Sequence, residues 1–296
     1  MSQLVVIAGA TGALGRHAID AFRDAGYRVR ALARPSVRFE ALRGVADEIF
    51  PANALQAEAL IEPCKGANVV LSAIGASVLP SVRLGRASFE TVDTPATLNL
   101  INAAQTTGVG KFVYVSLHCE ASEMLQRVRY VRSHERVVEA LARTSLPYCI
   151  VRPTGFFSAF GEFVAMAKRG QPAPVFGGGA VKTNPVHEAD VAQLCAEAAR
   201  SDNQLKEISI GGPDILTRRE IAELAFAALG KRPRIISAPL LAGTLGCIAL
   251  RPFHPRMADL IEFIVAISKQ DVIAPARGRR RLCDYFRELA AASRAS

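Results

Sequence analysis

The stretch "LVVIAGATGALG", Leu4 to Gly15, restricts this chain more than any other part of it. Leu4 to Ala8 are all aliphatic, as in a strand buried on both faces of a parallel sheet. Gly9, Gly12 and Gly15 follow at three-residue spacing, with Thr11, Ala13 and Leu14 between them. Next, "RHAIDAFRDAG" sets Ala18, Ile19, Phe22 and Ala25 at helical spacing and stops at Gly26. Strand, glycine turn and helix in that order open a β-α-β unit. Glycines there permit a tight turn, close approach of backbone to phosphate, and close packing of helix on strand. The helix start offers free amides and the positive end of its dipole to a pyrophosphate. The segment therefore predicts a dinucleotide phosphate loop with Gly9, Thr11, Gly12, Ala13, Leu14 and Gly15 as contacts.

The same alternation continues. "YRVRALAR", "NVVLSAIG" (Asn68–Gly75), "KFVYVS" (Lys111–Ser116) and "YCIVRP" (Tyr148–Pro153) read as strands, with helical runs between them. One helix is expected from about Val131 to Arg143. This pattern predicts an α/β fold: a Rossmann-type, doubly wound parallel sheet with helices on both faces. Ligands on such sheets bind beyond the carboxyl ends of the strands. Past Pro153 the pattern loosens. Residues 1–153 are expected to form the nucleotide-binding domain. Residues 154–296 are expected to be mixed, completing the sheet and forming a smaller, mostly helical substrate lobe. Within that part, Thr217 and Glu220 form a capping box that opens a helix.

The second strand decides between dinucleotides. NAD sites usually carry an acidic residue there for the ribose hydroxyls. This chain has Arg34, which can pair with a 2′-phosphate, so NADP(H) is expected rather than NAD(H). The net charge of +9 suits an anionic cofactor. It does not indicate nucleic acid, because the arginines are dispersed and only "RGRRR" (Arg277–Arg281) is clustered. The six cysteines lack any Cys-x-x-Cys, which fits reduced thiols in a cytoplasmic protein. No secretory signal precedes the first strand, and no metal-spaced cluster, Walker loop or Gly-x-Ser-x-Gly elbow occurs. The longest apolar run, "LLAGTLGCIAL" (Leu240–Leu250), is too short to span a bilayer. It is expected to be a buried helix; the alternatives are a wall around a bulky apolar substrate or a surface that touches membrane.

The segments "GATGALG", "VVLSAIGA", "VDTPATLNLINAA", "GVGKFVYVS" and "LPYCIVRPTGFF" together resemble the atypical and extended short-chain dehydrogenase/reductases, in particular the NmrA-like NAD(P)-binding group. The later part of the chain looks most like the divinyl chlorophyllide vinyl reductases and their bacterial relatives. This resemblance implies further contacts. Asn53 and Ala54 stand where relatives carry an Asp-hydrophobic pair beside the adenine. Ser72, Ala73, Ile74 and Gly75 would line the ribose side. Ser116 would lie near the nicotinamide, and Pro153, Thr154, Gly155 and Phe156 would border nicotinamide and substrate. Asn184 and Asp190 match a segment expected to be chiefly structural.

In that superfamily a Tyr-x-x-x-Lys pair carries the proton. Here "YVRSH" places Tyr130 and His134 at the same spacing, one helical face apart by a single turn. Three readings stand: Tyr130 keeps the acid role with His134 as helper; His134 donates the proton itself; or neither takes part and water finishes hydride transfer to an activated double bond. His118 is a weaker candidate on the same rim. The expectation is a reductase that passes hydride to a carbonyl or conjugated double bond of an apolar small molecule, as a monomer or homodimer. The alternatives are a non-catalytic NADP-sensing regulatory or assembly protein, and a redox-neutral isomerase, dehydratase or cyclase.

Overall fold

Leu4–Ala8 is buried at every position, and the strand it forms lies at the centre of the main sheet. The computed structural model describes residues 2–35, 42–75, 88–119, 123–200 and 205–292. The strands are β1 (Leu4–Ala8), β2 (Arg28–Ala33), β3 (Glu48–Pro51), β4 (Val69–Ser72), β5 (Lys111–Val115), β6 (Tyr148–Pro153), β7 (Ala173–Phe176), β8 (Lys182–Thr183), β9 (Glu207–Ile210), β10 (Leu216–Thr217) and β11 (Ile235–Ala238). The helices are α1 (Ala13–Asp24), α2 (Ile61–Cys64), α3 (Thr94–Thr106), α4 (Glu123–Gln126), α5 (Arg129–Ala142), α6 (Phe157–Lys168), α7 (Glu188–Ala199), α8 (Arg218–Ala227), α9 (Leu240–Leu250), α10 (Pro255–Ile267) and α11 (Leu282–Ala292).

Seven strands pair in the order β3-β2-β1-β4-β5-β6-β9, all parallel. The chain starts mid-sheet, builds outward to β3, then returns to build the other side from β4. That reversal leaves a crevice beyond the carboxyl ends of β1 and β4, where such sheets bind ligands. Helices α1 and α7 cover one face through Ile19, Phe22, Val191 and Cys195. Helices α3 and α5 cover the other through Leu100, Ile101, Val137 and Leu141. The fold is thus the doubly wound parallel sheet that the alternation predicts.

Segments after Pro153 are divided between two tasks. Strand β9 extends the sheet beside β6, and α7 packs on α1. Helices α6, α8 and α11 build a separate core around Phe157, Ile221 and Phe286, next to the parallel pair β7–β11. The Thr217–Glu220 capping box forms, with both reciprocal bonds present. Asn184 is buried and ties three backbone groups, at Gly212 and Ala274, with its one amide. Asp190, in the first turn of α7, accepts from the backbone amides of Arg279 and Arg280 and pairs with the Arg280 guanidinium. Arg281 pairs with Asp214, so two charges of the "RGRRR" cluster are bound to carboxylates.

One expectation fails here. The run Leu240–Leu250 is helical, but it is not buried: Leu241, Leu245 and Ile248 are 68%, 57% and 63% exposed. It approaches α10 through Gly243, where a Cβ would stand 2.5 Å from Val265 Cγ2, and it buries Cys247 beside it. A helix that is apolar all round and packs along one side only leaves most of its apolar surface outside.

Candidate active site

The phosphate turn is made of backbone. Gly9 has φ +85°, and a Cβ there would lie 2.3 Å from the Ala73 carbonyl oxygen at the end of β4. At Gly15 a Cβ would lie 2.2 Å from the Gly9 carbonyl oxygen. The Gly12 amide donates to that carbonyl at 3.0 Å and closes the turn. Gly12 also caps α1, and a glycine cap has no side chain to occupy the helix's first amides. Thr11 and Ala13 face outward, while Leu14 points into the core. Arg34 follows β2, is exposed, and has no acidic partner among the described residues. A side-chain-free cradle with an unpaired guanidinium at its flank fits a phosphorylated dinucleotide.

The remaining expected contacts divide. Asn53 accepts from the Leu55 amide at 3.2 Å, so its carbonyl shapes the turn after β3; the Ala54 carbonyl accepts from Asn99. Ser72 is fully buried against Thr97, which removes its side chain from the rim, whereas Ala73, Ile74 and Gly75 reach the surface. Ser116 is buried, 3.4 Å from Arg152 Nη1. Pro153 belongs to β6, the Thr154 hydroxyl donates to the Asn184 carbonyl at 2.6 Å, and Gly155 and Phe156 are partly exposed just beyond. His118 has both ring nitrogens engaged, by Ser209 and the Ile273 carbonyl, each at 3.1 Å. It joins β5 to β9 and to the segment after α10, and has no free nitrogen for a substrate.

Tyr130 and His134 do meet on one face of α5, with ring centroids 4.9 Å apart. Phe89 and Phe263 flank Tyr130 at 4.5 and 4.9 Å, bringing in the π-helical turn before α3 and the inner side of α10. Burial raises the Tyr130 pKa; Asp93 and Cys119 add to this and Arg256 opposes it. Tyr130 is therefore a protonated phenol at neutral pH. Beneath it Asp93 pairs with Arg256, whose guanidinium lies 4.6 Å above the Phe89 ring.

His134 Nδ1 is 2.7 Å from the Tyr114 hydroxyl. Tyr114 lies on β5, is buried, and has no other hydroxyl partner among the described residues. A buried O–H without an acceptor is costly, so this hydroxyl donates to Nδ1 and the imidazole carries its proton on Nε2. Burial, and then the charge of Arg152, push the His134 pKa down to about 4. The imidazole is neutral at pH 7 and acts as a fixed Nε2–H donor. It supplies no lysine-like charge to Tyr130. Arg152 itself is held by Glu135 at 2.6 Å and Glu207 at 2.7 Å.

Sequence reasoning missed Tyr114, Arg152, Asp93 and Arg256. One signal was present: a charged residue within the buried strand "YCIVRP" must find partners. Tyr114 was hidden because Tyr in a strand is ordinary.

The comparisons follow from this geometry. The family model described as NAD(P)H-binding matches residues 9–202. The chain belongs to this NAD(P)H-binding family. Among its relatives is a divinyl chlorophyllide a 8-vinyl-reductase of Oryza sativa subsp. indica, 33% identical over 88% of this chain and 67% of the relative. The Zea mays protein of the same name is 32% identical over 80% of this chain and 62% of its own length. The chain thus spans about two thirds of the length of these curated relatives. Among solved structures, the NADPH-dependent quinone oxidoreductase QOR2 of Escherichia coli, complexed with NADPH, superposes with TM-score 0.74. It is 19% identical, with 96% of this chain and 99% of that one covered. NAD(P)H is accordingly the cofactor of this chain, and the rice and maize relatives are reductases by name.

Proposed function

We propose that the protein is an NADPH-dependent reductase that delivers hydride to a conjugated double bond or carbonyl of an apolar small molecule. The observation that carries this reading is the Tyr130 phenol, protonated at neutral pH and set among Phe89, Phe263 and His134; the reading assigns it to the wall of the cofactor crevice. When bound, the dinucleotide supplies the hydride. The chain's own residues do the rest. The turn Gly9–Gly15 holds the pyrophosphate, and Arg34 takes the 2′-phosphate. The His134 Nε2–H donates to a ribose hydroxyl or to the substrate oxygen. Tyr130 gives its proton to the carbanion or alkoxide that hydride addition leaves. A phenol with a raised pKa is a poor acid toward water but sufficient for so basic an acceptor. The flanking aromatic rings favour an apolar substrate and exclude water. The name of the rice relative supports a double bond as first choice. The free cysteines are consistent with a reducing compartment such as the cytoplasm.

The test is single-turnover oxidation of bound NADPH against a panel of vinyl compounds, enones, quinones and ketones, headed by divinyl chlorophyllide a. Oxidation by at least one acceptor, abolished in Tyr130→Phe, is expected. Tight cofactor binding with no oxidation by any acceptor would favour a cofactor-sensing protein and overturn the proposal.

A further inference from the structure

The outer surface of the second half has its own character. Eight large hydrophobic residues are strongly exposed among the described residues, and five of them fall within eighteen residues: Ile236, Leu241, Leu245, Ile248 and Phe253. Three lie on α9, one on β11 leading into it, and one in the turn after it. The helix carries no charged side chain, and its exposed hydroxyl, on Thr244, donates to its own Leu240 carbonyl. An apolar surface of this extent marks an interaction site.

The charges around it have one sign. From Leu224 to Ala258 the sequence has no Asp or Glu, but has Lys231, Arg232, Arg234, Arg251 and Arg256. Arg251 and Arg256 are consumed by Asp259, Glu262 and Asp93. Lys231, Arg232 and Arg234 are exposed at the start of β11; Lys231 donates to the Ala167 and Lys168 carbonyls and Arg234 to the Gly170 carbonyl, and none of the three has an acidic partner among the described residues. Two more exposed cations lie at the N-terminal end of α9. Arg219 Nε donates to the Gly178 carbonyl, while Gly177 and the Ser268 carbonyl, next to Lys269, pack by Leu240.

We infer that this face docks on an anionic membrane surface. A charge-free apolar helix on a face whose exposed charges are cations without acidic partners among the described residues matches a bilayer boundary, where acyl chains accept the apolar side chains and headgroups the cations. A second copy of the chain is the poorer fit, because a two-fold contact would set the same cations against themselves. The face also offers few polar groups for specific recognition of a folded partner. No helix among the described residues is long and apolar enough to cross a membrane, so the attachment is peripheral. Beneath α9, helix α10 carries Phe263 against Tyr130, so the docked face lies one helix away from the proposed proton donor.

Co-sedimentation of the full chain with vesicles tests the inference. Binding is expected to equimolar phosphatidylcholine–phosphatidylglycerol vesicles at low salt, and to weaken at high salt. It is expected to be lost on phosphatidylcholine alone. The exposed double variant Leu245→Asp/Ile248→Asp should weaken binding by at least about tenfold. Lys231→Glu/Arg232→Glu should do so only on the anionic vesicles. Circular dichroism melts and NADPH titration check that each variant is folded. Failure of the wild type to bind anionic vesicles, or equal binding by the folded variants, overturns the inference. So does a solution dimer, seen by sedimentation velocity, that Leu245→Asp/Ile248→Asp dissolves. Cofactor turnover does not enter these readouts, so the result is independent of the proposed chemistry.

Discussion

The phosphate turn and the cluster around Tyr130 are built from different materials. The phosphate turn at Gly9–Gly15 is almost entirely main chain: a positive φ, two approaches that no Cβ would survive, and a helix start without a capping side chain. The cluster around Tyr130 is almost entirely side chain. Tyr130, His134, Tyr114 and Arg152, with Asp93 and Arg256 below, form linked contacts between β5, β6, α5, α10 and the turn before α3. A main-chain site binds whatever presents phosphate. A side-chain site depends on the protonation state of each member and can be changed one group at a time.

The sharpest way to separate the two is Tyr130→Phe. It should lower the turnover of NADPH oxidation by roughly a thousandfold, while the NADPH dissociation constant stays within about twofold. A parallel loss of binding would show that the two are not independent. Gly9→Ala should do the reverse. The forced backbone shift should weaken NADPH by on the order of a hundredfold, with single-turnover rate recovered at saturating cofactor. Normal binding in that variant, measured by fluorescence titration, would remove the phosphate turn from the site.

His134 gives the side-chain cluster a pH dependence. Its folded pKa, about 4, lies below the ordinary value of 6.5, so the unfolded chain holds more protons between these values. Stability contributed by the neutral ring is present above about 6.5 and is lost as pH falls toward 4. Urea melts should show a decline of about 2–3 kcal/mol across that window, and His134→Gln should flatten most of it. The other depressed histidine, His187, is retained in both proteins and cancels in the comparison. The smallest effect is expected at Arg34→Ala. NADPH affinity should fall about tenfold and NADH affinity should not change. Equal losses for both dinucleotides would mean that Arg34 does not read the 2′-phosphate.

This difference in material also explains what could be read in the sequence. The turn is local: three glycines between an apolar strand and an amphipathic helix need no distant partner, so residues 4–26 suffice. The capping box at Thr217 was readable for the same reason. The state of His134 was not, because it depends on Tyr114, twenty residues away, and on Arg152. Spacing on α5 indicated only that Tyr130 and His134 share a face. The exposure of α9 was unreadable too: an apolar helix looks the same in sequence whether one neighbour packs on it or four.

The position of β9 has a consequence for how the chain is made. Its partner β6 is complete at Pro153, but Glu207–Ile210 is synthesised more than fifty residues later. At about ten residues per second the delay is on the order of five seconds. During it, β6 is the open edge of an otherwise finished sheet, and Arg152 lacks one of its two carboxylates. The nascent chain at that stage presents a ready template for strand pairing between molecules. Ribosome-bound chains halted before Glu207 are the species on which a chaperone should be found.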